Sequence, residues 1–162
     1  MTAATDMEAI ELLKSDPDAF FDSPRRVPFL PRGRSYARAI LALPFSAPPL
    51  SMNDRGMSRG AAMAKAAKIK GIRETACILA KAADLPKGLD YVVCELHYQP
   101  RDNRRRDTDN LTATAKPIYD GLVDFGLVPD DIPRWMAKRE PVIHPAVKGE
   151  PGRMWLEISW RN

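Results

Sequence analysis

The sequence predicts an α+β domain, a mixed β-sheet with two main helices in the order β-α-β-α-β-β, preceded by an irregular extension. Three stretches carry that reading. Tyr91 to Gln99 alternates, with Val92, Cys94, Leu96 and Tyr98 on one side and Glu95, His97 and Gln99 on the other, the period of a half-buried strand. Ala61 to Ala83 steps by three and four through Ala62, Ala66, Ile69, Ile72, Ala76, Leu79 and Ala83, the period of a helix. Met154 to Trp160 alternates again, setting Met154, Leu156, Ile158 and Trp160 against Trp155, Glu157 and Ser159. Strands interleaved with helices suit helices packed on a mixed sheet.

In chain order, Met1 to Arg34 reads as a Pro-rich, loosely ordered extension, with a short amphipathic helix over Met7 to Lys14 and then Pro17, Pro24, Pro28 and Pro31. Residues 35–162 read as the folded domain. Ser35 to Phe45 is rich in aliphatic residues and is the first expected strand, closed by Pro44, Pro48 and Pro49. Met52 to Gly60 is a polar loop. On the helix that follows, Lys65, Lys68 and Arg73 lie off the apolar stripe and are expected to face water or a partner. Pro86, Lys87 and Gly88 turn the chain into the alternating strand. The second helix carries Leu111, Ala115, Ile118, Leu122 and Phe125 on one stripe. Pro117 lies inside it, so either the regular helix starts near Lys116 or it kinks there. Gly126 is placed to end it. Ile132 to Ile143 and Met154 to Trp160 read as a closing hairpin joined by the Lys148–Gly152 turn.

The chain has 162 residues, about one domain by the usual length of roughly 100–200, enough to bury a core without disulfide or metal staples. Its 44% hydrophobic and 28% charged residues exclude collagen-like and wholly disordered classes. The longest apolar run, Ala39 to Phe45, is far short of the roughly 18 residues of a membrane span, and no secretory leader is expected at the N-terminus. Cys77 and Cys94 sit in apolar surroundings, as buried thiols of a reduced, cytoplasmic chain would.

Charge is distributed in blocks. The net charge is +4. From Asn53 to Arg73 the chain sets Arg55, Arg59, Lys65, Lys68, Lys70 and Arg73 against Asp54 alone, and Arg101, Arg104, Arg105 and Arg106 follow. From Asp107 to Asp131 the sign reverses, with Asp107, Asp109, Asp120, Asp124, Asp130 and Asp131 against Lys116. Basic flanks around an acidic centre are what a Mg²⁺-dependent phosphodiester enzyme needs: cations for phosphates, carboxylates for the metal. Asp107 and Asp109, two apart at the end of an extended segment, would project from one face. At about 5 Å such a pair repels by about 3 kcal/mol at an effective dielectric near 20, a cost readily borne if a divalent cation sits between them. Hard carboxylate oxygens suit Mg²⁺ or Mn²⁺, and Asp130-Asp131 can supply a third ligand from another element. An EF-hand is excluded, because Leu111 and Thr112 stand where the loop needs Asp or Asn and then Gly. Four scattered histidines and cysteines argue against a zinc site of conventional spacing.

The run Arg105-Arg106-Asp107-Thr108-Asp109-Asn110-Leu111, then Lys116, then Asp120-Gly121-Leu122, Gly126 and Asp130-Asp131, resembles the RusA family of Holliday junction resolvases. Pro48-Pro49-Leu50-Ser51-Met52-Asn53 resembles that family's early Pro-Pro-Ser-x-Asn loop. The resemblance runs from about Ser35 to Trp160. The stretch between Asn110 and Lys116 is longer here than in the family pattern. The resemblance implies a RusA-like fold and a homodimer that resolves four-way DNA junctions by paired symmetric nicks with Mg²⁺. It assigns Asp107, Asp109 and Asp131 as metal-binding catalytic residues and Lys116 as a functional lysine. Whether one or two metals bind stays open.

Other residues have two readings. Asp120 is either a neighbour of the site or part of an exposed helix face with Lys116 and Asp124. Asp130 is either a ligand or a turn residue, and Asn53 either a site residue or a loop stabiliser. Arg104, Arg105 and Arg106, with Lys65, Lys68 and Arg73, are expected to grip DNA backbone, positioning without reading sequence. His97 could approach the metal but is expected to be a satisfied structural histidine, and His144 incidental. Trp135, Trp155 and Trp160 are expected in core or dimer packing, Cys77 and Cys94 in the core. The alternatives to a junction resolvase are a non-catalytic branched-DNA-binding protein and a less selective flap or fork nuclease.

Overall fold

A computed structural model describes residues 36–52 and 58–161. The expected extension over Met1–Arg34 and the candidate Asn53 lie outside the described residues. The elements run β1 (Tyr36–Leu43), α1 (Arg59–Ala82), β2 (Val92–Gln99), α2 (Asp109–Phe125), β3 (Met136–Lys138), β4 (Val142–Ile143) and β5 (Arg153–Arg161). Over the described residues the fold is α+β, two helices on a mixed five-stranded sheet, as the alternation and helical stripes predict.

The strand order is β1-β5-β2-β3, with β4 also on β2. β5 is antiparallel to both β1 and β2, placing Leu156 between Leu41 and Leu96, and Ile158 between Ala39 and Cys94. That strip of apolar residues faces the helices and meets Ile118, Leu122 and Leu127, all at most 1% exposed. Fully burying such side chains is worth about 1.5–3 kcal/mol each, the main stabilisation of this layer.

The expected closing hairpin is not formed. β3 and β4 pair with β2 in parallel, and β5 inserts on β2's opposite edge. β5's alternating apolar face needs a partner on each side, which a central position supplies. The 136–143 stretch is broken at Glu140-Pro141, where proline lacks the N–H of a ladder, so it makes two short rungs. Arg139 N–H to the Cys94 carbonyl (2.9 Å) and His144 N–H to the Tyr98 carbonyl (2.8 Å) keep it along β2. β2 itself is more buried than a one-sided strand: His97 and Gln99, on its polar face, are 0% and 4% exposed. Trp155 stacks on His97, and Arg153 donates to the Gln99 side-chain oxygen at 2.8 and 3.0 Å.

Ser58 caps α1 by accepting from Ala61 N–H at 3.1 Å. Among the described residues, α1 packs through its C-terminal half. Ile72, Ala76 and Ala80 are buried, whereas Ala62, Ala66 and Ile69 from the expected stripe are exposed. Cys94 is buried, while Cys77 lies at the core's margin. α2 begins at Asp109, not near Lys116, and continues through Pro117 to Phe125. A proline there forfeits a helical hydrogen bond at about 3 kcal/mol. Its ring is buried among the stripe that holds the helix down. Gly126, at φ 91°, ends α2 in the left-handed conformation open to glycine. At Gly121 the two helices approach so closely that a Cβ would sit 2.3 Å from the Arg73 carbonyl oxygen, so only a hydrogen fits.

Candidate functional site

The N-terminus of α2 opens onto a groove lined by Pro48, Leu50, Ser51, Arg105, Asp107 and Asn110, among others. Two stretches far apart in sequence meet here, the Pro48–Ser51 loop and the Arg105–Leu111 run. Thr114, fully buried, joins them: its hydroxyl accepts from Leu50 N–H at 3.2 Å and donates to the Leu50 carbonyl at 2.9 Å. The Ser51 hydroxyl lies 3.4 Å from the Asn110 side-chain oxygen. The other side of the α2 entrance is fixed by Thr108 Oγ1, which donates to Glu140 Oε1 at 2.8 Å.

Asp107 and Asp109 do not project together from a strand end. Asp109 is the first residue of α2, and its N–H donates to Asp107 Oδ1 at 3.2 Å, so the chain turns through the pair into the helix. The turn satisfies an amide that the helix start would otherwise orphan, and Asp109 adds negative charge where the helix dipole favours it. Both acids are exposed.

The three arginines before them divide. Arg106 fastens the loop: it donates to the Asp102 and Arg104 carbonyls at 2.7 and 2.9 Å and to Asp102 Oδ1 at 2.7 Å. That guanidinium, with Arg104 N–H, holds the Asp102 carboxyl below its ordinary range. Arg104 and Arg105 are exposed, Arg105 along the groove.

A second group gathers where α2 meets the loop after it. Lys116 Nζ donates to Asp120 Oδ1 and to Asp131 Oδ2, each at 2.6 Å, and Lys138 Nζ reaches the same Asp131 oxygen at 2.7 Å. The hydrogen bonds from Lys116 and Lys138 hold the Asp131 carboxyl at about 2. Asp120 and Asp131 in turn raise Lys116 above its ordinary range. Asp120 therefore belongs to this group and is more than helix-face decoration. Asp130 takes the turn reading, its Oδ1 accepting from Asp131 N–H at 2.7 Å. Sequence alone does not single out Lys138, because its contact with Asp131 depends on β3 lying beside β2.

The expected trio of Asp107, Asp109 and Asp131 is not drawn together. Among the described residues, the group of three acids or histidines whose ligand atoms lie within 4.8 Å of one another is Glu95, His97 and Glu157, on the opposite, polar face of the sheet. Asp131 is held by the two lysines, which balance its charge. The basic helix face also divides. Arg73 grips Asp124 with both Nε and Nη2, the latter at 2.6 Å, and pins α1 to α2. It is exposed, as expected, but its charge is already paired within the fold. Lys68 is exposed and Lys65 half-buried on α1's outer half. His144 is not incidental: its Nε2 is 2.9 Å from His97 Nδ1, and its ring stacks on Trp155.

No family model and no curated protein matches this chain. Among solved structures, the chain is similar to hydrogenase maturation protein HypE in complex with ATP, at 9% identity and a TM-score of 0.30, over 94% of this chain. This chain spans 39% of that one, and a likeness so slight carries no argument about fold or function. No helix among the described residues is long and apolar enough to cross a membrane.

Proposed function

We propose that this protein is a cytoplasmic, Mg²⁺-dependent endonuclease that acts as a homodimer on four-way DNA junctions, cutting by paired symmetric nicks. The observation that carries the reading is the meeting of the Pro48–Ser51 loop with the Arg105–Leu111 run in one groove, since these are the two stretches that resemble the RusA family. Arg104 and Arg105 supply cations for backbone phosphate at its edge. Lys116 and Lys138 stand ready to neutralise charge developing on phosphoryl oxygens.

Asp107, Asp109 and Asp131 are the residues that would hold Mg²⁺. In kind they fit, as hard oxygen donors that leave room for water and phosphate. In place they are not assembled, because Asp131 is committed to two lysines. Held by these acids, Mg²⁺ would supply polarisation of a phosphate and a more acidic water. That same clasp of Asp131 favours a second reading, a branched-DNA-binding protein without turnover.

Incubation with a synthetic four-way junction separates the two. Paired nicks that need Mg²⁺ and stop with EDTA are expected, with linear duplex spared and flaps and forks cut more slowly. Asp109→Asn is expected to keep junction binding and lose nicking. Salt-sensitive binding without cleavage in any divalent metal would establish the second reading and refute the first.

A further inference from the structure

We propose that Glu95, His97 and Glu157 form a cation site on the polar face of the sheet, one that takes a borderline divalent ion, zinc before magnesium. The strands build it. Glu95 on β2 stands directly across from Glu157 on β5, and His97 follows Glu95 on the same face. His97 Nε2 is 3.1 Å from Glu95 Oε1 and 3.5 Å from Glu157 Oε1. Those separations bracket the roughly 3.4 Å between ligands of a tetrahedral ion with bonds near 2.0–2.1 Å.

The histidine is fully buried, and its Nε2 closes no hydrogen bond although two carboxylate oxygens lie within 3.5 Å. A buried imidazole nitrogen is rarely left so. It points between two carboxylates, where a metal ion would accept all three. The surrounding contacts are those of ligands held from behind. His97 Nδ1 faces His144 Nε2 at 2.9 Å, a bond that fixes the ring and leaves Nε2 for the ion. Glu157 turns its other oxygen, Oε2, to Arg38, and Glu95 Oε2 lies 4.0 Å from Arg139 Nε. Each carboxylate thus offers one oxygen to the centre and the other to an arginine. Trp155 lies parallel to the His97 ring at 5.1 Å and shields it. One imidazole with two carboxylates suits zinc or manganese better than magnesium or calcium, which prefer oxygen alone.

This site stands apart from the proposed nuclease centre, so its test is independent. The purified full chain, stripped with EDTA and dialysed, is titrated with ZnCl₂ by calorimetry, with MgCl₂ as the contrast. One zinc per chain is expected at micromolar affinity or better, with no competition from millimolar magnesium. Glu157→Gln should abolish uptake, and His144→Gln should weaken it about 10–100-fold, the usual cost of losing a group that orients a ligand. Asp107→Asn with Asp131→Asn should leave it intact.

Should Glu157→Gln fail to fold, ¹⁵N spectra of the unaltered chain decide: zinc must shift His97 Nε2 while Nδ1 keeps its proton. No zinc uptake, uptake unchanged in Glu157→Gln, uptake lost with the aspartates, or an Nε2 that stays protonated through the titration would each overturn the proposal.

Discussion

Two groups of charged side chains in this fold gather by different means. At the α2 rim, Lys116, Asp120, Asp131 and Lys138 come from a helix, a loop and a short strand, and long flexible lysines close the gaps. On the polar sheet face, Glu95, His97 and Glu157 come from two adjacent strands whose register sets their spacing. The first arrangement can be pulled open by a competing cation or phosphate at little structural cost. The second is fixed by the ladder, with two half-buried glutamates around a buried histidine. Loops and helix ends make a site that responds to its ligand, whereas paired strands make one that waits for it.

The largest expected effect tests the responsive half. Lys116→Met should lower junction nicking by about 10²–10³-fold, the usual loss when one preorganised charge aimed at a transition state is removed. The same variant should leave far-face zinc uptake unchanged. An equal effect on both would show the two regions to be coupled. Gly121→Ala comes next. Its methyl would meet the Arg73 carbonyl and Ala76, so α2 must shift outward. Overpacking of this kind costs about 1–3 kcal/mol, read as a lowered denaturation midpoint at constant slope.

A third test uses acid. Asp131, held from its ordinary 3.8 down to about 2, is depressed in the folded state. Its contribution to stability is therefore fully present above pH 3.8 and fades as the pH falls through about 2. The stability difference between the natural chain and Asp131→Asn should shrink across that window, and Lys138→Met should move the carboxyl's titration upward. The smallest effect belongs to Arg73→Ala. Its pair with Asp124 is exposed on both sides, so the loss should be a small drop in the thermal denaturation midpoint that shrinks further at high salt.

Much of the fold could be read from period alone. β2 and β5 alternate where they should, and the α2 stripe from Leu111 to Phe125 is buried as expected. Period does not say what covers a face. Ala62, Ala66 and Ile69 share the helical spacing of Ile72 and Ala76 yet pack on nothing described. Nor does local pattern reveal partners: the parallel rungs of β3 and β4 depend on β2, some forty residues earlier, so the nearer β5 was the natural wrong choice. At the candidate site, residue types were legible and their grouping was not. The spacing of Asp107 and Asp109 suggests an extended pair, but the turn into α2 sets the Asp109 amide on the Asp107 carboxylate. Glu95, His97 and Glu157 could have been noticed only by knowing that β5 lies antiparallel beside β2 in that register.

One helix in this molecule leads two lives. Among the described residues, the side chains of α1 from Arg59 to about Gly71 are almost all exposed, and from Ile72 onward the helix packs on α2. Amides in the outer turns should trade their protons for deuterium through brief local fraying, while those near Ala76 and Ala80 should wait for the whole domain to open. An exchange map would then draw a border across a helix that looks unbroken, and a partner seated on the outer turns would erase it.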